Sequence, residues 1–461
     1  MFARRIVVVG AGYVGLTTAA CLASLGHQVV CADVDEAKLA GLAAGQVDNS
    51  EPGLSELVVE GLHSGRLTFV LGTEAALSRL PAEPSGRPAE PSRLPAAPSG
   101  RPAAEVIFLC LPTPMGIGGV ADLSVVESVV TGIGPLLAPG AVVVTKSTVP
   151  VGTAARISEL LGREDVAVVS NPEFLREGSA VSDFLGPDRI VIGADSQDAA
   201  ERVSALYSRL GAPTVFTNPA SAELIKYAAN CYLAMKLSYV NAVAELCERV
   251  GAEISDVTEG IGYDRRIGQA FLSPGPGWGG SCLPKDAAAL LQVADAHDFE
   301  FRLLRAAIDT NTRQRQRMVD KVRLAVTGRR TGSLSNTRLC LLGLTFKAGT
   351  DDLRDSPALG VAALLRQAGA ELYAYDPGVD ADRWAAGSEG RAAISVVDDP
   401  YIAAKDCDAV VVLTEWPQFR ALDWTRMAEE VRRPVVVDTR NLLDRDTLGR
   451  AGFHWIGVGS G

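Results

Sequence analysis

The chain has 461 residues, 47% of them hydrophobic and 21% charged, with 44 basic against 55 acidic side chains and a formal net charge of −11. Such a length suggests two or three domains, and the apolar content excludes a wholly disordered chain. The acidic balance excludes a general nucleic-acid or membrane-surface binder, which needs a basic excess, so anionic ligands must be held by local features working against the overall field.

In chain order, residues 6–9 form a short β-branched run ending at Gly10, 14–25 predict a helix, and 28–32 predict a second strand. Strand, helix and strand with such short connections make a parallel βαβ unit. Arg4 and Arg5, followed by apolar and small residues, imitate a secretory signal. The glycines recurring there have another explanation, and a cytoplasmic protein is expected. Further buried strands are expected at 67–70, 106–109, 142–145, 166–169 and 190–192, which makes residues 1–215 a doubly wound α/β domain. One segment interrupts it: 78–91 is nearly repeated by 92–105, and its Pro, Gly and Ser content predicts a solvated, extended insert without a core. Residues 221–250 lack Pro and Gly, repeat apolar residues at helical spacing and predict a long helix, and 302–326 predict a second one carrying several arginines. These helices make 216–327 a middle domain. After a linker at 328–336, strands expected at 339–342, 371–375, 409–413 and 435–437 give another α/β domain over 328–461. No apolar run approaches the ~20 residues of a membrane span.

Gly10, Gly12 and Gly15 place a G-x-G-x-x-G pattern between the first strand and the first helix. The first glycine permits the tight turn, the second lets backbone approach a pyrophosphate, and the third allows close helix–strand packing. The N–H groups at the helix start then attract the anion. Asp33 ends the second strand, where a carboxylate accepts hydrogen bonds from ribose hydroxyls and repels a 2′-phosphate, favouring NAD over NADP.

The eight cysteines, at 21, 31, 110, 231, 247, 282, 340 and 407, form no CxxC pair, and the four histidines are isolated. No metal site is expected, and most of the thiols read as buried small hydrophobes in a reducing compartment. Cys282 is the exception. It follows a Pro- and Gly-rich stretch at 274–281 that lets backbone crowd a ligand, and it precedes Leu283, Pro284, Lys285 and Asp286. Pro suits the first turn of a helix, and a thiol at a helix N-terminus near a lysine should have a lowered pKa and act as a nucleophile. Asp286, one turn along the same face, is placed to orient a water or take a proton. On the long helix, Lys226 and Asn230 are four apart and point the same way, an ammonium and an amide able to stabilise an oxyanion. Ser147 and Thr148 follow one strand, and Glu173 and Glu177 follow the next, at the carboxyl ends where ligands of such sheets bind. A dinucleotide site implies hydride transfer, and an activated cysteine implies a covalent acyl intermediate.

These residues resemble the UDP-glucose 6-dehydrogenases of the UDP-glucose/GDP-mannose dehydrogenase family. The resemblance covers nearly the whole chain outside the insert. It rests on GAGYVG at 10–15, EPGL at 51–54, KSTVPVGT at 146–153, SNPEFLREGSAVSDFLGPDRIVIG at 170–193 and AELIKYAAN at 222–230. It continues through DRRIG at 264–268, GWGGSCLPKD at 277–286, GLTFKAGTDDLRDSP at 343–357 and TEWPQF at 414–419. It implies two Rossmann-like doubly wound α/β domains, NAD-binding and UDP-sugar-binding, joined by a helical middle domain with a long connecting helix. The activity implied is oxidation of the C6 alcohol of UDP-glucose to a carboxylate with two NAD⁺ and one cysteine. By motif position Cys282 is the nucleophile, Lys226 and Asn230 stabilise oxyanions, and Thr148, Glu173 and Asp286 handle water and protons. NAD contacts implied are Gly10, Gly12, Tyr13, Val14, Gly15, Asp33, Lys38, Thr113, Thr148, Glu177, Lys285 and Arg354. Substrate contacts implied are Glu173, Phe174, Leu175, Lys226, Asn230, Phe271, Gly275, Gly279, Phe346, Lys347 and Arg440. Arg266 would reach the sugar of a neighbouring subunit, which implies a homodimer or higher homo-oligomer.

The sequence departs from the family pattern in the insert and at Leu283, where the UDP-glucose enzymes commonly carry Phe. SCLPKD and FKAGTDDLR are also seen in GDP-mannose 6-dehydrogenases, whereas DRRIG, PDRIVIG and TEWPQF favour the UDP-glucose group. The competing readings are therefore a dehydrogenase for GDP-mannose or another nucleotide sugar, a two-electron dehydrogenase in which Cys282 is structural, and a non-catalytic NAD or sugar-nucleotide sensor.

Overall fold

The computed structural model describes residues 4–48, 51–78, 105–116, 121–386 and 393–460, so the duplicated insert, apart from its two end residues, lies outside the described residues. The chain divides into two compact units, Met1–Ala228 and Ala229–Gly461.

The first unit is built on an eight-stranded sheet: β1 (Arg5–Val9), β2 (Gln28–Asp33), β3 (Leu67–Leu71), β4 (Val106–Leu109), β5 (Val142–Thr145), β6 (Ala167–Ser170), β7 (Ile190–Ala194) and β8 (Thr214–Thr217). The spatial order is β3-β2-β1-β4-β5-β6-β7-β8. All neighbours run parallel except β6 and β7, whose pairing is antiparallel. From Ile6 to Val9 the central strand β1 is apolar without a break because it is covered on both faces. Ile6 and Val8 point into one layer with Leu16, Ala19 and Ala20 of helix Tyr13–Ser24. Val7 and Val9 point into the other, with Val126 and Val130 of helix Ser124–Ile133 and Ile157 of helix Thr153–Leu161. Each such buried branched side chain contributes about 1.5–3 kcal/mol.

The second unit holds β9 (Arg338–Leu342), β10 (Glu371–Tyr375), β11 (Ser395–Val396), β12 (Ala409–Val412), β13 (Val435–Asp438) and β14 (His454–Ile456), in the order β11-β10-β9-β12-β13-β14. That is the same winding as the first six strands of the other sheet. Leu339 and Leu341 face a layer formed with Val240, Ala244 and Cys247 of the long helix Pro219–Val250 and with Met318, Val319 and Val322 of helix Arg302–Thr327. Cys340 and Leu342 face the opposite layer with Phe419, Trp424 and Met427.

In both sheets the winding reverses beside the first strand, at β1/β4 and at β9/β12, and a glycine turns the chain there. Gly10 has φ +98°, and a Cβ on it would lie 2.3 Å from the carbonyl oxygen of Cys110. Gly343 has φ +99°, and its Cβ would lie 2.4 Å from the side chain of Thr414. No other residue fits either place.

Both doubly wound sheets and the two long helices are found where the sequence predicts them. Three strands were not anticipated: β8, β11 and β14. Each is at or near a sheet edge; β11 and β14 have two and three residues, and β8 exposes Val215 and Phe216. Such strands bury one face at most and carry no apolar run to read. Among the described residues no helix is long and apolar enough to cross a membrane.

Leu341→Ala, at a fully buried site, should lower the urea midpoint of the second unit's unfolding by a loss of about 2–5 kcal/mol. Ile402→Ala, at a residue 60% exposed, should stay within about 0.5 kcal/mol of the parent.

Candidate functional site

In the first unit the candidate residues gather at the carboxyl ends of the strands. Gly12 is the N-cap of helix Tyr13–Ser24 and supplies no side-chain cap. No heavy atom lies within 4 Å of the place where its Cβ would be, whereas a Cβ on Gly15 would lie 1.8 Å from the Gly10 carbonyl oxygen. The turn is thus packed tightly beneath and open above, which fits the approach of a pyrophosphate to the helix start. Asp33 Oδ2 accepts the Ala11 N–H at 2.7 Å, and Oδ1 accepts those of Val34 and Asp35. Lys38 Nζ stands 3.7 Å from Oδ2. Burial works to raise the Asp33 pKa, but the N–H groups and Lys38 outweigh it and hold the carboxyl below its usual range. An ionised carboxylate at this strand end suits a ribose diol. Thr113, after β4, donates its hydroxyl to the Thr148 carbonyl at 2.9 Å and so ties the loop after β4 to the loop after β5.

Glu173 and Lys226 form a buried ion pair. Lys226 Nζ donates to Glu173 Oε1 at 2.9 Å and to the Glu173 carbonyl at 2.7 Å, while Glu173 Oε2 accepts the Leu175 N–H at 2.5 Å. Breaking such a pair leaves a charge buried without its counterion, which costs about 3–5 kcal/mol. The Phe174 ring lies 3.4 Å from the Arg189 guanidinium carbon and 5.4 Å from Lys226 Nζ. Glu173, Phe174 and Lys226 thus form one cluster, with Leu175 packed against the core beside it.

In the second unit, Cys282 is the N-cap of helix Leu283–Ala296, with Pro284 in the first turn. It is exposed, whereas the other seven cysteines are buried. Its Sγ lies 3.6 Å from Ser281 Oγ. One turn on, the buried Asp286 accepts the Asn230 amide N–H at 2.6 Å and lies 3.6 Å from Lys285 Nζ. The loop leading to Cys282 is clamped from beneath by buried polar side chains of two helices. Asn241 Oδ1 accepts the Gly275 N–H, Gln314 donates to the Gly275 carbonyl, Asn311 bonds both the N–H and the carbonyl of Trp278, and Trp278 Nε1 donates to Ser238. Glycine is required along it: Cβ atoms on Gly277, Gly279 and Gly280 would lie 2.6 Å from Asn311, 2.0 Å from the Asp355 carbonyl and 2.8 Å from the Phe346 ring.

Gly275, Phe346 and Arg440 come together, since a Gly275 Cβ would lie 3.1 Å from Arg440 Nη1 and Arg440 Nη2 is 3.5 Å from the Phe346 carbonyl. Arg440 is steadied by the Leu413 carbonyl and by Glu415 at 3.1 Å. Lys347 Nζ lies 5.5 Å from the Phe346 ring centre. Arg354 pairs in a fork with Asp352. Arg266 is set apart from these groups; its guanidinium is fully solvent-facing and forks onto Asp264. Phe271, also exposed, holds φ +61°.

Three features escaped the sequence reading. Glu51 accepts from three donors in the first unit, Asn311 and Gln314 clamp the Cys282 loop, and Lys146 is a buried ammonium. Asn311 and Gln314 carry a readable signal, two amides three apart on a helix and each facing the core. Lys146 carries none, because a lysine after a strand usually reaches solvent.

A packed G-x-G-x-x-G turn with an ionised acid at the next strand's end, on a sheet of this order, marks an NAD-binding oxidoreductase. Family models agree with that class. The NAD binding domain of the UDP-glucose/GDP-mannose dehydrogenase family matches residues 4–81 and 96–211, its central domain matches 220–313, and its UDP binding domain matches 340–445. The UDP-glucose 6-dehydrogenase of Rhizobium meliloti is 43% identical, with 99% of each chain covered. UDP-glucose 6-dehydrogenase TuaD of Bacillus subtilis is 39% identical over 99% of this chain and 93% of its own. The structure of a UDP-glucose dehydrogenase from the archaeon Pyrobaculum islandicum superposes with a TM-score of 0.84 at 34% identity, covering 100% of this chain and 98% of the other. The protein belongs to the UDP-glucose/GDP-mannose dehydrogenase family.

Lys146 offers a test of the site's electrostatics. Its Nζ donates to Asn171 Oδ1 at 3.2 Å and lies 3.5 Å from the Tyr207 hydroxyl. Burial pulls its pKa down from 10.5 to about 8, with the Glu173 carboxylate resisting and the Lys226 ammonium adding to the fall. Between those values the unfolded chain binds more protons, so stability from this group rises with pH, and below about 8 the fold carries the whole cost of the charge. Lys146→Met should therefore melt above the parent at pH 7, with the gap narrowing as pH is raised from 8 towards 10.5.

Proposed function

We propose that the protein oxidises the C6 alcohol of UDP-glucose to the carboxylate of UDP-glucuronate, with two NAD⁺ consumed per sugar. One observation carries the reading: of eight cysteines the exposed one caps a helix beside Asp286 and Asn230, at the end of a glycine loop held from beneath by buried amides. The named relatives, matched end to end, support the same substrate.

Gly10, Gly12, Tyr13, Val14, Gly15, Asp33, Lys38, Thr113, Thr148, Glu177, Lys285 and Arg354 would hold NAD, which would supply the hydride acceptor for both oxidations, of the C6 alcohol to the aldehyde and of the thiol adduct to the thioester. The protein's own groups do the rest. The Cys282 thiolate adds to the C6 aldehyde, forming a carbon–sulfur bond and a hemithioacetal oxyanion. Loss of a second hydride turns this adduct into a thioester. A water then adds to the thioester carbonyl, the carbon–sulfur bond breaks, and the thiolate is returned with the acid. Lys226 and Asn230 donate to the oxyanions of these steps, which act most strongly where water is excluded. Thr148, Glu173 and Asp286 place the water and carry its protons. Phe174, Leu175, Phe271, Gly275, Gly279, Phe346, Lys347 and Arg440 hold the sugar nucleotide, with Lys347 and Arg440 supplying positive charge for its diphosphate.

The working form is a homodimer in which Arg266 of one protomer reaches the sugar of the other. Tyr232, Tyr239 and Leu246 support it: they recur every seven residues on the long helix and are more than half exposed, a stripe that suits a second helix. The domains fall at 1–215, 216–327 and 328–461, and the enzyme works in the cytoplasm.

NADH absorbance measured across a panel of UDP- and GDP-sugars checks the proposal. UDP-glucose should yield two NADH per molecule and Cys282→Ala should abolish turnover. One NADH per sugar with an active Cys282→Ala variant would select a two-electron enzyme, preference for GDP-mannose would move the substrate, and binding without turnover would indicate a sensor.

A further inference from the structure

The sequence motif at 51–54 has no part in the chemistry above, yet its glutamate is among the most fully bonded carboxylates of the first unit. Glu51 is 6% exposed. Its Oε2 accepts the Gly178 N–H at 2.8 Å and faces the Tyr13 hydroxyl at 2.8 Å, and its Oε1 accepts the Ala180 N–H. The Tyr13 hydroxyl also lies 3.0 Å from the carbonyl oxygen of Arg176. Burial, together with Glu51 and the nearby Glu177 and Glu173 carboxylates, holds the Tyr13 phenol firmly protonated, so it stays a donor.

These bonds surround one residue. Arg176 supplies the carbonyl before Glu177, and Gly178 supplies the N–H after it. Glu51 therefore holds the backbone after Glu177, and Tyr13, whose single phenol hydrogen is shared between Glu51 Oε2 and the Arg176 carbonyl, holds the backbone before it. Tyr13 itself belongs to the G-x-G-x-x-G turn. Gly178 has φ +80°, a bend that needs such holding, and the Arg176 side chain is fixed separately by a fork onto Asp183.

We propose that Glu51 is a positioning residue for the cofactor: it locks the glycine turn and the Glu177 loop into one edge, so that both reach NAD in a fixed relation. This rests on the reading that NAD contacts Tyr13 and Glu177. The lock needs an acceptor at both carboxylate oxygens, since all three neighbours present hydrogens. An amide at this place turns an N–H₂ towards at least one of them. The effect falls on NAD, because none of the three bonds touches Glu173, Phe174 or Lys226.

The test uses the full-length protein, NADH titration by fluorescence and steady-state kinetics in both substrates. Glu51→Gln should weaken NADH binding and raise the KM for NAD⁺ about tenfold, while the KM for UDP-glucose moves by less than about twofold. Tyr13→Phe should cause a smaller loss of the same kind, and the double variant should be no worse than Glu51→Gln, because both changes break one lock. If Glu51→Gln does not fold, Glu51→Asp, which keeps both acceptor oxygens but shortens their reach, decides by the same contrast between the two KM values. Unchanged NADH affinity, equal rises in both KM values, or additive losses in the double variant would overturn the proposal. A parent protein that binds no NADH would overturn the cofactor reading itself, and the lock with it, and is recognised before any variant is made.

Discussion

Both halves of this protein depend on the same steric constraint: the chain leaving the central strand of each sheet must pass a neighbour too close to admit a Cβ. At Gly10 the obstacle is the backbone of Cys110, and at Gly343 it is Thr414. Each glycine bends the chain at the reversal point of the sheet, where the loops on either side diverge and leave a crevice. The candidate residues are arranged around those two bends. Asp33 and the 173–177 loop lie at strand ends of the first sheet, and Phe346, Lys347 and Arg440 lie at strand ends of the second.

The net charge of −11 makes the local handling of charge decisive. Three positive groups near the candidate sites are restrained rather than left to solvent. Lys226 is fixed by Glu173, Arg440 by Glu415 and the Leu413 carbonyl, and Lys285 stands beside Asp286. Paired cations of this kind lose little freedom when an anion arrives, so a small number of them can act against an acidic surface. Lys146 is the contrasting case. It is buried among the neutral groups of Asn171 and Tyr207 and the rings of Phe184 and Tyr207, with Glu173 acting on it from further off. That costs stability at neutral pH, a cost typical of functional regions rather than of packing.

Much of this was legible in the sequence, for physical reasons that can be named. Strands buried on both faces need near-continuous apolar runs, so 6–9, 106–109 and 142–144 stood out. The G-x-G-x-x-G turn and Asp33 are tied to one another by chain geometry, and the Ala11 N–H to Asp33 bond is that tie made visible. Cys282 was legible because a glycine-rich run before it and a proline after it leave a thiol at a helix start. What stayed hidden depends on tertiary approach. Glu51 is separated from Gly178 and Ala180 by more than a hundred residues, and Asn311 from Trp278 by a whole helix. Arg189 against Phe174 is likewise invisible in a linear pattern. Edge strands escaped because short, half-exposed strands leave no periodic trace.

The two sheets are wound alike, but their first turns are finished differently. After Gly10 the chain enters a helix within three residues, and the N–H groups at its start point outwards. After Gly343 it runs on to residue 356 before the helix Pro357–Gln367 begins. Its first amide, Leu344, donates to Asp376 as Ala11 does to Asp33 in the other half, and here the next amide and its hydroxyl, both of Thr345, turn to the same carboxylate as well. The second cradle is thus filled from within by its own acid. The matching turn of the second half has fewer backbone hydrogens left for an anion than the first, so two look-alike folds differ in which amides their own acids already hold.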